Sequence, residues 1–447
     1  MKARASVVAA GLTAGLLLGG GEAVASGYAL REQSAVGQGA SFAGSAARGD
    51  DPTMLFFNPA SMAWLPGIQA AVVGSGIWPY AEARSGSASR NALLGGSPIT
   101  GSLGGDAAFD AFLPALYGTA AMGEQWRLGL SVTMPWGLVT KYPGDFIGRY
   151  HALTSTLHSI DIAPAISWKP LPNLALGAAL VIQYADARLS NAVDFGAVGV
   201  LSGLGRFGLL PGTRDGRATV SGDDTSVGWQ LGVQWEPLAG TRLGLSFRSA
   251  VFHELRGDAS FQGVPAPLNL SPQFAGTGAR AKLTTPEVLS IGVSHRLNDR
   301  WTLLGEADWT NWSRFRDLTV QFDNGRAPSV TAERWRDSWF LSLGTEYRAT
   351  DALTLRAGFA YDQTPVRTET RTPRIPDVDR YWLSIGASYQ IMRNVTLSAG
   401  YTHIFADDAK VSLRDGGPGS SDFLRGNLDL NYRASVDILA VQARVTF

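Results

Sequence analysis

Cysteine is absent from the 447 residues, which removes thiolate metal sites, disulfide frameworks and cysteine nucleophiles together. Charge is scarce and balanced. Only 17% of residues are charged, with 38 basic against 38 acidic, where soluble domains carry roughly 25%. A net charge of zero offers no cationic field to nucleic acid. After residue 25 no stretch approaches the ~18 uninterrupted apolar residues of a membrane helix. The five histidines (His151, His158, His253, His295 and His403) are scattered, without H-E-x-x-H or an acidic cluster at ligand spacing, so no metal is expected. No G-x-S-x-G elbow or phosphate-binding lysine loop occurs. Residues 203–208, GLGRFG, match G-x-G-x-x-G in letters but sit between alternating segments, not in a strand–turn–helix unit. Ser159 follows His158, but adjacent strand residues face opposite ways, which argues against a barrel hydrolase pair. The chain therefore reads as no enzyme, with no catalytic residue and no cofactor.

What is present begins with a leader. Lys2 and Arg4 precede an apolar run over 5–18, and Ala23-Val24-Ala25 supplies small residues before a processing site. Residues 1–25 read as a signal peptide cleaved after Ala25. Beyond it, period-two alternation dominates. Trp229, Leu231, Val233 and Trp235 share one face, and Gln230, Gly232, Gln234 and Glu236 the other. Leu243, Leu245 and Phe247 alternate with Arg242, Gly244, Ser246 and Arg248; Leu355, Ala357 and Phe359 alternate with Arg356 and Gly358. An apolar face with Trp and Tyr near strand ends, backed by Gly, Ser and Arg, fits lipid outside and a polar lumen inside.

About fourteen such segments start near 68, 109, 126, 153, 173, 219, 241, 279, 300, 330, 352, 379, 395 and 428. Short links alternate with long ones (84–108, 141–152, 191–218, 262–278, 322–330, 363–378 and 407–427). Turns on one rim and loops on the other predict an all-β fold: a transmembrane antiparallel β-barrel over 68–447 in the outer membrane of a Gram-negative bacterium. The last strand carries Val441, Ala443, Val445 and a terminal Phe447, the end such barrels offer to the barrel-assembly machinery. Leu428, Leu430 and Tyr432 are out of phase with Leu439 and Val441, which predicts a bulge near Asp437. Residues 26–67 do not alternate and cannot face lipid with unpaired backbone. They read as a hatch inside the lumen, with a periplasmic extension as the alternative.

Several strings in order resemble the FadL/TodX-type outer-membrane transporters of long-chain fatty acids and hydrophobic compounds. They are GDDPTMLFFNPA (49–60), GLSVTMPWGLVTKYPGDFIGRY (129–150), TRLGLSFRS (241–249), WTNWSRF (309–315) and RIPDVDRYWLS (374–384). The resemblance implies fourteen strands and an N-terminal hatch that includes Gly27, Tyr28 and the motif Asn58, Pro59 and Ala60. It also implies an inward kink in the third strand, a lateral gate here at Pro135, Trp136 and Gly137. Proline cannot donate to the ladder, so a break in pairing is cheapest there, although Pro135 could simply end a strand.

A greasy solute needs apolar sites of modest depth, because leaving one for water costs about 0.8 kcal/mol per CH₂. The loop at 191–218 offers Phe195, Val198, Leu201, Leu204, Phe207 and Leu210 for capture of a hydrophobic ligand, or for a helical cap. Transfer beside the hatch and lateral release into outer-membrane lipid would follow. Lumen-phase arginines, Arg127, Arg188, Arg242, Arg248 and Arg356 among them, are expected to balance Glu306, Asp308, Glu346 and Asp362. Fatty-acid members of the family meet the carboxylate with a basic pair near the fifth and tenth strands, where this chain aligns Asn191 and Thr331. Arg188, Arg248, Arg334 and Arg336 remain the candidate carboxylate partners, and neutral or aromatic hydrocarbons the alternative cargo. Nothing requires more than a monomer.

Overall fold

The computed structural model describes residues 27–447 apart from Ser421. The signal peptide expected over 1–25 lies outside the described residues. Fourteen strands form among those described: β1 (Ile68–Ser89), β2 (Ala111–Met122), β3 (Trp126–Thr133, resumed at Gly137–Lys141), β4 (Thr154–Leu171), β5 (Leu174–Asp194), β6 (Asp215–Leu238), β7 (Thr241–Arg248 and Val251–Gln262), β8 (Thr277–Thr285 and Val288–Arg296), β9 (Trp301–Thr310 and Asp317–Phe322), β10 (Ser329–Ala332 and Ser338–Arg348), β11 (Leu353–Asp362), β12 (Arg380–Met392), β13 (Val395–Ala406 and Ala409–Leu413) and β14 (Asn427–Thr446). Each pairs antiparallel with its sequence neighbours, and β14 closes on β1 from Gln69↔Thr446 to Ser89↔Asn427. Closure leaves no edge strand, so the sheet can satisfy its own backbone in hydrocarbon.

The alternation sorts as read from the sequence. Val227, Trp229, Leu231 and Trp235 are exposed on the outer face, while Gly228, Gln230, Gly232 and Gln234 are buried within. Aromatic residues ring both ends of the apolar band. Trp126 stacks on Trp168 at 5.6 Å and Trp301 meets Tyr347 at 4.6 Å near the short turns. Trp78, Trp339 and Tyr381 are exposed toward the long loops. Strand β6 starts at Asp215, before the expected 219, because its ladder with β5 continues to Asp194↔Asp215 after the apolar alternation has faded. The bulge predicted near Asp437 does not occur. Pairing of β14 with β13 is unbroken from Phe405↔Ser435 to Val395↔Val445. Leu428, Leu430 and Tyr432 face inward and are fully buried against Phe146 and Tyr142 beneath the long loops. An apolar plug of loop residues turns the inner face hydrophobic there, so no phase change is needed.

Residues 27–67 lie inside the barrel. They form a short helix, α1 (Ala35–Gln38), and two 3₁₀ turns, Pro52–Phe56 and Pro59–Trp64. Each turn starts on an acceptor side chain followed by proline. Asp51 accepts from the Thr53 N–H and Asn58 from the Ala60 N–H, which satisfies donors that such ends leave open. Asn58 also donates to the carbonyls of Ala46 at 2.7 Å and of Val233 at 3.1 Å, stitching the hatch to itself and to β6. Glycines on the inner wall let backbone meet backbone here. A Cβ at Gly177 would lie 2.2 Å from Ala60 N, and one at Gly232 1.9 Å from the Asn58 carboxamide oxygen.

Candidate functional site

Strand β3 stops pairing with β2 after Leu116↔Val132, and the resumed segment Gly137–Lys141 pairs with β4, touching the stretch before β2 only at the single bridge Ala108↔Thr140. The wall is thus without a ladder between the start of β2 and residues 134–139. The freed backbone groups are satisfied from inside. The Gln33 side chain accepts from Met134 N–H at 3.2 Å and donates to Met134 C=O at 2.9 Å. Leu30 N–H donates to Pro135 C=O, and Gly137 N–H donates to Tyr28 C=O, both at 2.8 Å. Ser159 Oγ accepts from Trp136 N–H and donates to Trp136 C=O, each at 2.9 Å. The hatch therefore takes the place of a strand partner across Pro135, Trp136 and Gly137. Gly27 joins it through its N–H, which reaches Asp377 at 3.1 Å.

Beside this break lies a narrow cavity of about 70 Å³, lined by Leu30, Phe56, Phe57, Pro135, Trp136 and Val288 with Arg31, Arg248 and Asp308. Its arginines are neutralised, since Arg31 pairs with Asp308 and Arg248 with the fully buried Asp161. A larger cavity of about 210 Å³ sits under the long loops. Leu189, Val193, Val198, Val220, Phe261, Leu318, Val320 and Phe322 line it, together with Asn191 and Thr331. Three guanidinium groups reach it: Arg326, Arg374 and Arg425. Arg326 lies between the rings of Phe261 and Phe322, 4.7 and 5.0 Å from their centroids. Its Nη1 is buried without a hydrogen-bond partner, and no carboxylate pairs with it among the described residues. Burial, helped by neighbouring Arg425, pushes the Arg374 guanidinium down to about 9. An apolar cluster bridges the cavities: Tyr28 is ringed by Trp136, Trp312, Phe315 and Trp335 at 4.6–5.9 Å between centroids. Leu318 packs against this cluster from the upper cavity, and Trp136 faces the lower one.

Several residues singled out from the sequence sit elsewhere. Arg188 is exposed because it shares parity with the outward Ile182 and Tyr184, so it is not in the lumen. Arg334 and Arg336 are exposed on the outer side of the irregular stretch within β10, and Arg336 lies 3.9 Å from Asp379. Neither lines the two cavities described above. In the 191–218 loop, residues Phe195–Leu201 form a helix, α2. Phe195 is buried against Leu209, Leu268 and Phe274, with Leu204 packed on the same cluster; only Val198 lines the cavity. Leu201, Phe207 and Leu210 face solvent. Three of the four lumen acids are balanced by arginine, partly from the hatch, while Glu306 accepts from the Ala46 N–H instead. Arg356 pairs with Glu346 at 2.5 Å and Arg380 with Asp362 at 3.0 Å. Asp308 takes Arg31, and Glu346 also takes Arg48 at 2.8 Å. Sequence reasoning missed Gln33, Ser159 and the three arginines of the upper cavity. Only Arg374 stood in a quoted string.

A family model for outer membrane protein transport protein (OMPP1/FadL/TodX) matches residues 16–447. The chain is 29% identical to a putative outer membrane protein of Neisseria meningitidis, covering 95% of both chains. It is 25% identical to the long-chain fatty acid transport protein of Escherichia coli K12, covering 88% of this chain and 90% of that one. The crystal structure of a Pseudomonas aeruginosa FadL homologue superposes with a TM-score of 0.86 at 27% identity, over 94% of this chain and 99% of that one. The Pseudomonas putida toluene transporter TodX shares the fold, with a TM-score of 0.67 at 17% identity over 92% and 98%. The chain belongs to the OMPP1/FadL/TodX family of outer-membrane transport proteins.

Proposed function

We propose that this transporter carries long-chain amphiphiles with an acidic head, fatty acids foremost, passively through three stations. The exposed Leu201, Phe207 and Leu210 make first contact at the loop rim. The upper cavity takes the molecule next, its tail against Val193, Val198 and Phe322 and its head toward Arg326, Arg374 and Arg425. Passage beside Tyr28 and Trp136 leads to the lower cavity, and release follows through the unpaired wall at Pro135–Gly137 into lipid. The observation that carries this route is the lower cavity, bounded at once by the hatch and by the strand break. Apolar side chains line part of each cavity, and each CH₂ held against them avoids the roughly 0.8 kcal/mol cost of exposure to water. Neutral hydrocarbons are a second reading, favoured by the internally paired Arg31 and Arg248 of the lower cavity. Replacing Met134-Pro135-Trp136 by Val-Thr-Val should extend the ladder toward β2. Uptake of labelled oleate is expected to fall to the level of cells lacking the protein, at unchanged amounts of inserted barrel. Normal uptake by that variant overturns the exit step.

A further inference from the structure

We propose that the outer surface of β7, β8 and β9 binds the phosphorylated glycolipid of the outer leaflet. On this face, register sets Phe252 opposite Thr284, then Glu254 opposite Lys282, then Arg256 opposite Arg280. Arg280 in turn faces Gln321 of β9. Phe252 is 61% exposed and marks the end of the apolar band, with the Arg314 guanidinium 5.8 Å from its ring. The cations thus begin one pleat beyond the last lipid-facing aromatic residue, on the long-loop side, at headgroup depth. Arg280, Lys282, Arg314 and Arg316 line one groove there against only Glu254 and Asp317. Arg256 pairs with Glu254 at 2.7 Å, and Arg314 pairs with Glu287. Arg280, Lys282 and Arg316 have no carboxylate at ion-pair distance among the described residues. Two arginines directly opposite on one face oppose strand pairing, and only Arg256 of the two is offset by a carboxylate among the described residues. Guanidinium forks match phosphate oxygens in bidentate fashion. Acyl chains of the same lipid would lie along Phe252, Leu245 and Ile291, all exposed below the groove.

The test uses the full-length protein purified from outer membranes and compared with Arg280→Gln/Lys282→Gln/Arg316→Gln. A control, Arg84→Gln/Arg433→Gln, alters the far side of the barrel. Delipidated protein is titrated with bisphosphorylated lipid A and with its dephosphorylated form, and complexes are counted by native mass spectrometry. Juxtamembrane basic residues each contribute about 1 kcal/mol toward anionic lipid, so the triple variant should bind the phosphorylated form at least about tenfold more weakly. The control should match wild type. Dephosphorylated lipid should not distinguish wild type from the triple variant. Arg280→Lys/Arg316→Lys, which keeps the charge, should retain most of the binding, and heat-modifiable gel mobility verifies folding in each case. Equal binding of phosphorylated lipid by wild type and the triple variant overturns the proposal, as does equal affinity of wild type for the two lipids.

Discussion

Arg326 is held by two phenyl faces instead of an acid, which leaves its charge available to a solute in the upper cavity. A charge-assisted hydrogen bond contributes ~1.5–3 kcal/mol. Arg326→Gln should therefore weaken equilibrium binding of a long-chain carboxylate by roughly tenfold or more, with binding of a neutral alkane of equal length unchanged. A parallel loss for both ligands would remove Arg326 from headgroup recognition. Glu32, buried in the hatch, makes a second residue-level prediction. Burial pushes its carboxyl up to about 7 from the ordinary 4.5. A raised carboxyl favours the protonated folded form, so its contribution to hatch seating is complete below pH ~4.5 and is lost as pH rises through about 7. Protease cleavage within 27–67 should thus quicken between pH 5 and pH 8 in wild type, and Glu32→Gln should flatten that dependence. These residues were not legible beforehand. Nothing in the string around Arg326 differs from any solvated loop arginine, and only the cavity between Phe261 and Phe322 singles it out.

At the scale of elements, the strands could be read almost to their ends, because period two is imposed by lipid on one side and lumen on the other. The exceptions are informative. Strand β6 outruns its alternation because a ladder needs backbone, not apolar side chains, above the membrane. Leu428, Leu430 and Tyr432 stay on the same inward face as Val436 and Ile438 while packed loop residues cover them, which no local pattern can announce. Arg188 was misplaced by a count of one, and in a strand one residue decides between lipid and lumen. The hatch obeys a different rule, close backbone approach at inner-wall glycines. Gly232→Leu should push Asn58 and Pro59 off β6, since even a Cβ there collides with Asn58 at 1.9 Å. Planar-bilayer recordings should then register small-ion conductance steps well above those of wild type, with Gly118→Ala on β2, where a Cβ meets nothing within 4 Å, as the comparison. Unchanged conductance would mean that the hatch tolerates the displacement.

For the whole molecule, closure could be inferred from the chain, whereas the site could be inferred only in outline. Pro135 was visible as a weak point in pairing. That Gln33, Leu30, Tyr28 and Ser159 would satisfy the freed groups follows only from bringing residues 28–33 against residues 134–159. The same long-range fold sets the ion pairs. Arg31 and Arg48 neutralise Asp308 and Glu346 on β9 and β10, while Ala46 N–H donates to Glu306 at 3.2 Å. Removing one partner of a buried pair costs ~3–5 kcal/mol. Arg31→Met should accordingly lower the thermal midpoint in detergent by several degrees, and adding Asp308→Asn should restore much of it. No recovery would show that Arg31 acts through packing alone.

Those pairs also constrain how cargo can move. Withdrawing the leading segment as a cork would take Arg31 from Asp308 and the Ala46 N–H from Glu306, and would strip the β3 backbone of its surrogate partner in the same step. Traffic along a stationary segment incurs neither penalty. On the proposed route, the detour at Pro135 would therefore make the stopper a fixed banister for solutes entering the bilayer.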